Sequence, residues 1–360
     1  MSISMIKVRN LCKKEGFHFW VIALSMILVI TIIGAIAIGS TYIEPGIVYK
    51  VLLNKLYDGV LFESNFNSMY ESIIWEIRLP RVLLGAICGG GLALCGVLMQ
   101  CVTKNPISEP YILGISSGAS CGAVAIIVLG GVSGLGITTI TTGAFIGSIL
   151  SGVIVFAIGT QMGRTTSTTR LVLSGMAIST IFSSLTNLLI YFAKNSNQAK
   201  NALFWTIGSL GGAKWDVLLI PFLVLVFVIV LSFIMSKSLD ILLLGDDSAV
   251  ILGINVKLIK SIIIILATLL TSTLVAITGA IGFIGLVVPH ICRTICGSDH
   301  KKLIVLSSLI GAIFLILCDV LARGLLPPIE IPIGIITSLV GGPFFLYLIC
   351  VKNYSFGGNE

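Results

Sequence analysis

Residues 111–163 read YILGISSGASCGAVAIIVLGGVSGLGITTITTGAFIGSILSGVIVFAIGTQMG, without one Asp, Glu, Lys, Arg or His. A helix that crosses a membrane takes about 20 apolar residues, because lipid leaves every backbone N–H and C=O to be satisfied within the helix. The run is too long for one crossing. Its glycine-rich centre, GGVSGLG at 130–136, breaks it into two helices. The fold class follows: an all-α polytopic membrane protein.

The rest of the chain agrees. It has 360 residues, a mean hydropathy of +1.11, 56% hydrophobic residues and only 10% charged residues, where a soluble domain carries about a quarter charged. The 39 glycines suit close helix packing in lipid. The net charge, 22 − 15 = +7, reads as membrane orientation and not as nucleic-acid binding. Nine cysteines form no metal or disulfide pattern, and Cys88, Cys95, Cys101, Cys121, Cys292, Cys318 and Cys350 lie in or beside apolar runs, where free Cys packs as a small hydrophobe. The uncharged run 17–43 is longer than a signal-peptide core and reads as a retained first helix.

Charges punctuate the remaining spans. We expect about ten, near 18–40, 80–103, two within 111–163, 170–192, 215–236, 258–278, a short element to 295, 303–322 and 331–351. The whole of 1–360 reads as one transmembrane domain. Its parts include an N-terminus at 1–17, an acidic extracytoplasmic loop at 41–77 and a cytoplasmic loop at 237–257. With both ends inside, fourteen basic residues fall on the cytoplasmic side and eight outside, as the positive-inside rule requires of an N-in, C-in chain. Arg78, Arg81 and Arg323 stand at outer helix ends, against this trend. Gly85 and Gly89, and then Gly114, Gly118 and Gly122, recur at four-residue spacing and read as close-packing faces. Ser179, Ser183 and Asn187 fall at i, i+4 and i+8 on the fifth span, a polar stripe that either bonds neighbouring helices or lines a water-filled path.

The polar island of the chain is 236–260, SKSLDILLLGDDSAVILGINVKLIK. Asp246 is placed to cap a short helix and Gly253 to end it, with Ala249, Val250, Ile251 and Leu252 as a small apolar face between them. The flanking lysines read as membrane-surface anchors. Such a helix in a cytoplasmic loop invites a soluble partner. The sequence carries no G-x-x-x-x-G-K-[ST] to cradle ATP, no H-E-x-x-H and no paired C-x-x-C. His18, His290 and His300 are isolated, and no metal or other cofactor is expected. No span carries a charge near its middle, which weakens an ion-coupled secondary transporter acting alone, the competing class. A third class, a membrane scaffold without transport, sits poorly with the polar stripe on the fifth span. The chain has transporter size and no motor of its own.

Several motifs then occur in one order: RLPR at 78–81, GVLMQ at 96–100, NPISEPYILGISSGA at 105–119, GFIGLVVPH at 282–290 with Arg293, Asp319 with Arg323, EIPIG at 330–334 and GGPFF at 341–345. Together they resemble the permease family of iron-siderophore, haem and cobalamin ABC importers, over about 70–350; Ile107 and Ser108 depart from the common Leu and Ala. The resemblance implies a ten-helix subunit with no enzymatic activity of its own. It implies a dimer of identical or paralogous permeases, two cytoplasmic ATPases and an extracytoplasmic binding protein. It implies that Gly245, Asp246, Asp247, Ser248, Ala249, Ile251, Leu252 and Gly253 form the helix that docks on the ATPase, with Ala249, Ile251 and Leu252 as contacts. Arg78, Arg81 and Arg323 match positions that meet acidic residues of the binding protein, against the simpler reading of Asp319–Arg323 as a local i, i+4 pair. Ser179, Ser183 and Asn187 become candidates for the translocation path. The cargo implied is an iron chelate, a ferric siderophore first, with haem or cobalamin as the other members of the set.

Overall fold

The structure, a computed structural model, describes residues 14–39, 43–57, 68–130, 137–160 and 168–351. Residues 1–13 of the expected N-terminus and most of the glycine-rich break lie outside them. The described chain is helical throughout. In order it comprises α1 (Lys14–Ala37), α2 (Pro45–Leu56), α3 (Ser68–Ser72) running through a π-helical stretch (Ile73–Arg78) into α4 (Leu79–Thr103), a 3-10 turn (Pro110–Leu113), α5 (Ile115–Leu129), α6 (Ile137–Gly159), α7 (Thr168–Tyr191), α8 (Ser196–Ile207), α9 (Trp215–Ile234), α10 (Ser236–Leu243), α11 (Asp246–Ile251), α12 (Val256–Thr278), α13 (Ile284–Cys296), α14 (His300–Gly324) and α15 (Ile333–Val351).

Among the described residues seven helices are long and apolar enough to cross a membrane, and three shorter apolar ones, α5, α13 and the apolar part of α15, accompany them. The expectation of ten crossings therefore rests on three helices that fall short of full spanning length. Within the acidic stretch 41–77 the described residues form α2, α3 and the π-helical turns that continue into α4. Likewise 237–257 holds α10 and α11. The sequence reading also passed over α8, whose start is capped by Asn195 Oδ1 accepting from Gln198 N–H at 2.8 Å.

The bundle is organised around α4, buried along nearly its whole length. Its glycines explain how. A Cβ at Gly89 would collide with the carbonyl of Gly311 on α14, and one at Gly96 with the carbonyl of Gly285 on α13. The α5–α6 pair repeats the device, with Gly118 against Gly147 and Gly122 against Gly143. Helices pack this closely in lipid through dispersion and small residues, since burying apolar surface gains little there. α1 and α9 instead expose apolar side chains such as Phe19, Ile22 and Ile30, or Leu219, Ile220 and Leu223, as lipid-facing helices do.

Candidate functional site

Three regions gather the expected functional residues. At the end of the bundle that the charge count assigns to the cytoplasm, α10 leads into Gly245, whose φ of +120° a side-chain-bearing residue rarely adopts. α11 follows and closes in a left-handed Gly253 (φ +81°), with Gly253 N–H bonded to Val250 O at 2.9 Å and Ile254 N–H to Ala249 O at 2.9 Å. This pair is a Schellman ending. The expected stop at Gly253 is therefore present, but the expected start is different. Asp246 makes no capping bond to the helix N–H groups. Its carboxylate instead takes two lysines, Lys260 Nζ at 2.6 Å and Lys104 Nζ at 2.8 Å. Burial alone would raise the Asp246 pKa, but the two ammonium groups overcome it and hold the carboxyl below its usual range.

Two further corrections follow here. Lys260 is not a membrane-surface anchor: it is 2% exposed, among the largest fully buried side chains. Ala249 is buried in the chain's own core and cannot contact a partner. The open apolar face is Val250, Ile251 and Leu252, with Ile251 85% exposed. Asp247 and Gly253 are exposed beside it, and Ser248 is half-buried.

The polar stripe on α7 opens onto a cavity. Ser179, Ser183 and Asn187 line it together with Tyr111, Ser116, Ser117, Ser120, Thr186 and Thr206, in a space of ≈ 380 Å³. Every one of these polar groups is uncharged. Thr186 Oγ1 bonds back to Phe182 O at 2.7 Å, so part of the stripe serves its own helix, while Ser183 and Asn187 are exposed. Tyr111 stands between this cavity and a neighbouring one lined by Gly282, Gly334 and Ser338. Its hydroxyl donates to Ile281 O at 2.7 Å and accepts from Ile281 N–H at 3.1 Å, so the Pro110–Leu113 turn is fastened to the break between α12 and α13.

The outer arginines converge, but on the chain itself. Arg78 Nη1 donates to Ile36 O at 2.7 Å and Ala37 O at 3.0 Å. Arg323 donates to Ala35 O at 3.1 Å and Ile38 O at 3.0 Å, and its Nε lies 2.9 Å from Asp319 Oδ2. The last carbonyls of a helix have no partners within it, and two guanidinium forks satisfy those of α1 in a buried place where leaving them bare would be costly. The π-helical turns before α4 shift the register that delivers Arg78 there, and Gly39 leaves the room its guanidinium needs. Arg81 bonds Asp319 Oδ1 at 3.0 Å and Glu330 Oε2 at 2.7 Å. All three arginines are buried; only Glu330, half-exposed, brings the cluster to the surface. The local reading of Asp319 with Arg323 is thus part of the geometry.

Glu109 was invisible as a site residue. It sits in the connection between α4 and α5, outside the spanning helices, with its Oε1 buried without a hydrogen-bond partner. Burial pushes its carboxyl up to about 7, although the backbone N–H groups of Phe283 and Leu286, at the start of α13, favour the charged form. His290 is buried edge-on to Phe344. Among the described residues no group of three His, Cys, Asp or Glu side chains could hold a metal ion.

Comparison with known proteins gives a consistent result. The FecCD transport family matches residues 27–351. The chain is 35% identical to an uncharacterized ABC transporter permease, YvrB of Bacillus subtilis, over 99% of this chain and 98% of that protein. It is 39% identical to the cobalamin import system permease BtuC of Halobacterium salinarum over 78% of this chain and 73% of that one. It is 38% identical to the hemin transport system permease HmuU of Yersinia pestis, over 80% and 87%. A solved structure described as an inward-facing conformation of a metal-chelate type ABC transporter superposes with a TM-score of 0.80 at 29% identity, covering 92% of this chain and 99% of that one.

Proposed function

The chain belongs to the FecCD transport family, and from that premise we propose that it is the membrane-spanning subunit of an ATP-driven importer for an iron chelate, a ferric siderophore foremost. The family consists of permeases of ABC importers, multi-pass proteins of the cytoplasmic membrane. A separate ATPase drives transport in this reading, an extracytoplasmic binding protein delivers the cargo, and a second permease completes the path.

The observation that carries the reading is α11. It is a six-residue helix ended by a left-handed glycine and held by two lysines, yet it turns Val250, Ile251 and Leu252 outward. Apolar groups this exposed at a polar end of the bundle call for a protein groove. The cavity fits the cargo's need for release. Hydroxyls and one amide line it, and neutral polar groups hold a hydrophilic chelate weakly enough to let it leave. At the outer end, acidic residues of a binding protein reach Arg81 by displacing Glu330. Arg78 and Arg323 act there indirectly, by fixing the end of α1. The buried carboxylates do not favour ion coupling: Asp319 is neutralised by Arg81 and Arg323, and Glu109 faces the start of α13.

Co-purification tests the proposal. The ATPase encoded with the permease should remain bound to the unaltered chain and be lost with Ile251→Asp, which puts a charge at the centre of the apolar face. An ATPase that stays fully bound to the Ile251→Asp chain contradicts α11 as its socket.

A further inference from the structure

α11 packs mainly against its neighbours in sequence, α10 and α12, yet it must influence a cavity built by α5, α7 and α8. One side chain makes the link. Lys104, at the C-terminal end of α4, holds Asp246, the first residue of α11, at 2.8 Å. It does so from a left-handed backbone (φ +50°), one of two such non-glycine residues among those described; the other is Phe283 (φ +69°). Backbone in that region is held only where surrounding contacts over-determine it.

Lys104 opens one segment, and Phe283 faces that segment across Glu109. Residues 104–114 leave α4 at Lys104 and enter α5 at Gly114. The segment is stiffened from within: Asn105 Oδ1 accepts from Ile107 N–H at 3.0 Å, and Thr103 Oγ1 donates to Ser108 Oγ at 2.7 Å. At its far end Glu109 faces the N–H groups of Phe283 and Leu286, and Tyr111 is bonded twice to Ile281. Gly114 O accepts from Ser151 Oγ at 2.7 Å. Past Tyr111 begins the cavity.

We propose that residues 104–114 form a strut that carries displacement of α11 to the cavity wall, with Lys104 as its joint at the coupling helix and Tyr111 as its joint at the break between α12 and α13. Both are positioning residues. The inference rests on the reading of α11 as the ATPase socket and adds the route by which its movement arrives. Lys260 fixes Asp246 to the base of α12, so α11 moves with that helix; Lys104 makes the same movement pull on the strut. Two joints of one strut act in series. Breaking either interrupts transmission, and breaking both adds nothing further.

The test uses the complete complex of permease and ATPase, with Ser183→Cys as a reporter in the cavity. The rate of its reaction with a maleimide, followed at that residue by mass spectrometry, is compared with and without ATP. We expect ATP to change the rate in the reporter chain. Lys104→Met and Tyr111→Phe should each shrink that change roughly two- to thirtyfold, the range seen for substitutions along coupling networks. Lys104→Arg should restore it, and Lys104→Met with Tyr111→Phe should match either alone. The ATPase should stay bound to all of these variants and continue hydrolysis, which separates lost transmission from lost folding. A full ATP response in Lys104→Met, or losses that multiply in the double variant, overturns the strut while leaving the α11 reading intact. An ATPase indifferent to Ile251→Asp, or a reporter indifferent to ATP, overturns both.

Discussion

Asp246 and Lys260 show how one ion pair can shape a site. A buried ammonium needs a counter-charge, and removing one member of such a pair leaves the other costly. Asp246→Ala should therefore lower thermal stability by about 1–3 kcal/mol, and adding Lys260→Met should recover most of the loss. Equal melting temperatures for the single and double variants in detergent would refute the pairing. Glu109 makes a different statement at the same scale. Its folded-state pKa lies near 7, raised from 4.5 by burial. For an acid whose pKa is raised by folding, the fold binds the proton more tightly than the unfolded chain does. Stability then declines as pH rises from about 4.5 to about 7 and levels off above that. Glu109→Gln should flatten the melting temperature between pH 5 and 8, and a slope that persists unchanged would assign it to other groups. Neither the Asp246–Lys260 pairing nor the burial of Glu109 was legible. Asp246 and Lys260 are fourteen positions apart in a polar island, where a cap and a surface anchor were the simpler local readings, and the pairing exists only once α11 folds back on α12.

Among elements, the helices that span were plain from hydropathy and the rest were not. The four-residue glycine spacing correctly marked packing faces at Gly89, Gly118 and Gly122, but not their partners, because Gly311, Gly143 and Gly147 lie on other helices. A branched side chain in such a contact has nowhere to go. Gly122→Leu should cost at least about 1–3 kcal/mol through overpacking and sharply reduce folded protein, whereas Gly212→Ala, with open space around it, should be neutral; similar yields for both would contradict the close α5–α6 contact. α2, α3 and α8 could not be found by hydropathy because short helices lack a 20-residue apolar run. The packing of the turn 104–114 was not legible either: 105–119 stood out only as a motif, and the contacts of Glu109 and Tyr111 with residues 281–286 are made across the fold.

For the molecule as a whole, the pattern is a bundle with separate devices at its two ends. The outer end gathers Arg78, Arg81 and Arg323 with Asp319 and Glu330 over the close of α1. Their departure from the positive-inside trend was visible in the sequence. Their inward targets were not, since main-chain carbonyls leave no mark on a sequence. The inner end offers α11, and between the two lies an uncharged polar cavity. In the proposed function a separate ATPase, acting through α11, moves cargo through this chain. The most direct test is accumulation of a ⁵⁵Fe-labelled ferric siderophore in proteoliposomes that hold the permease, its ATPase and its binding protein. Accumulation should require ATP, survive collapse of the proton gradient and disappear with Ile251→Asp. Accumulation by the permease alone, driven by a proton gradient without ATPase or ATP, would contradict it.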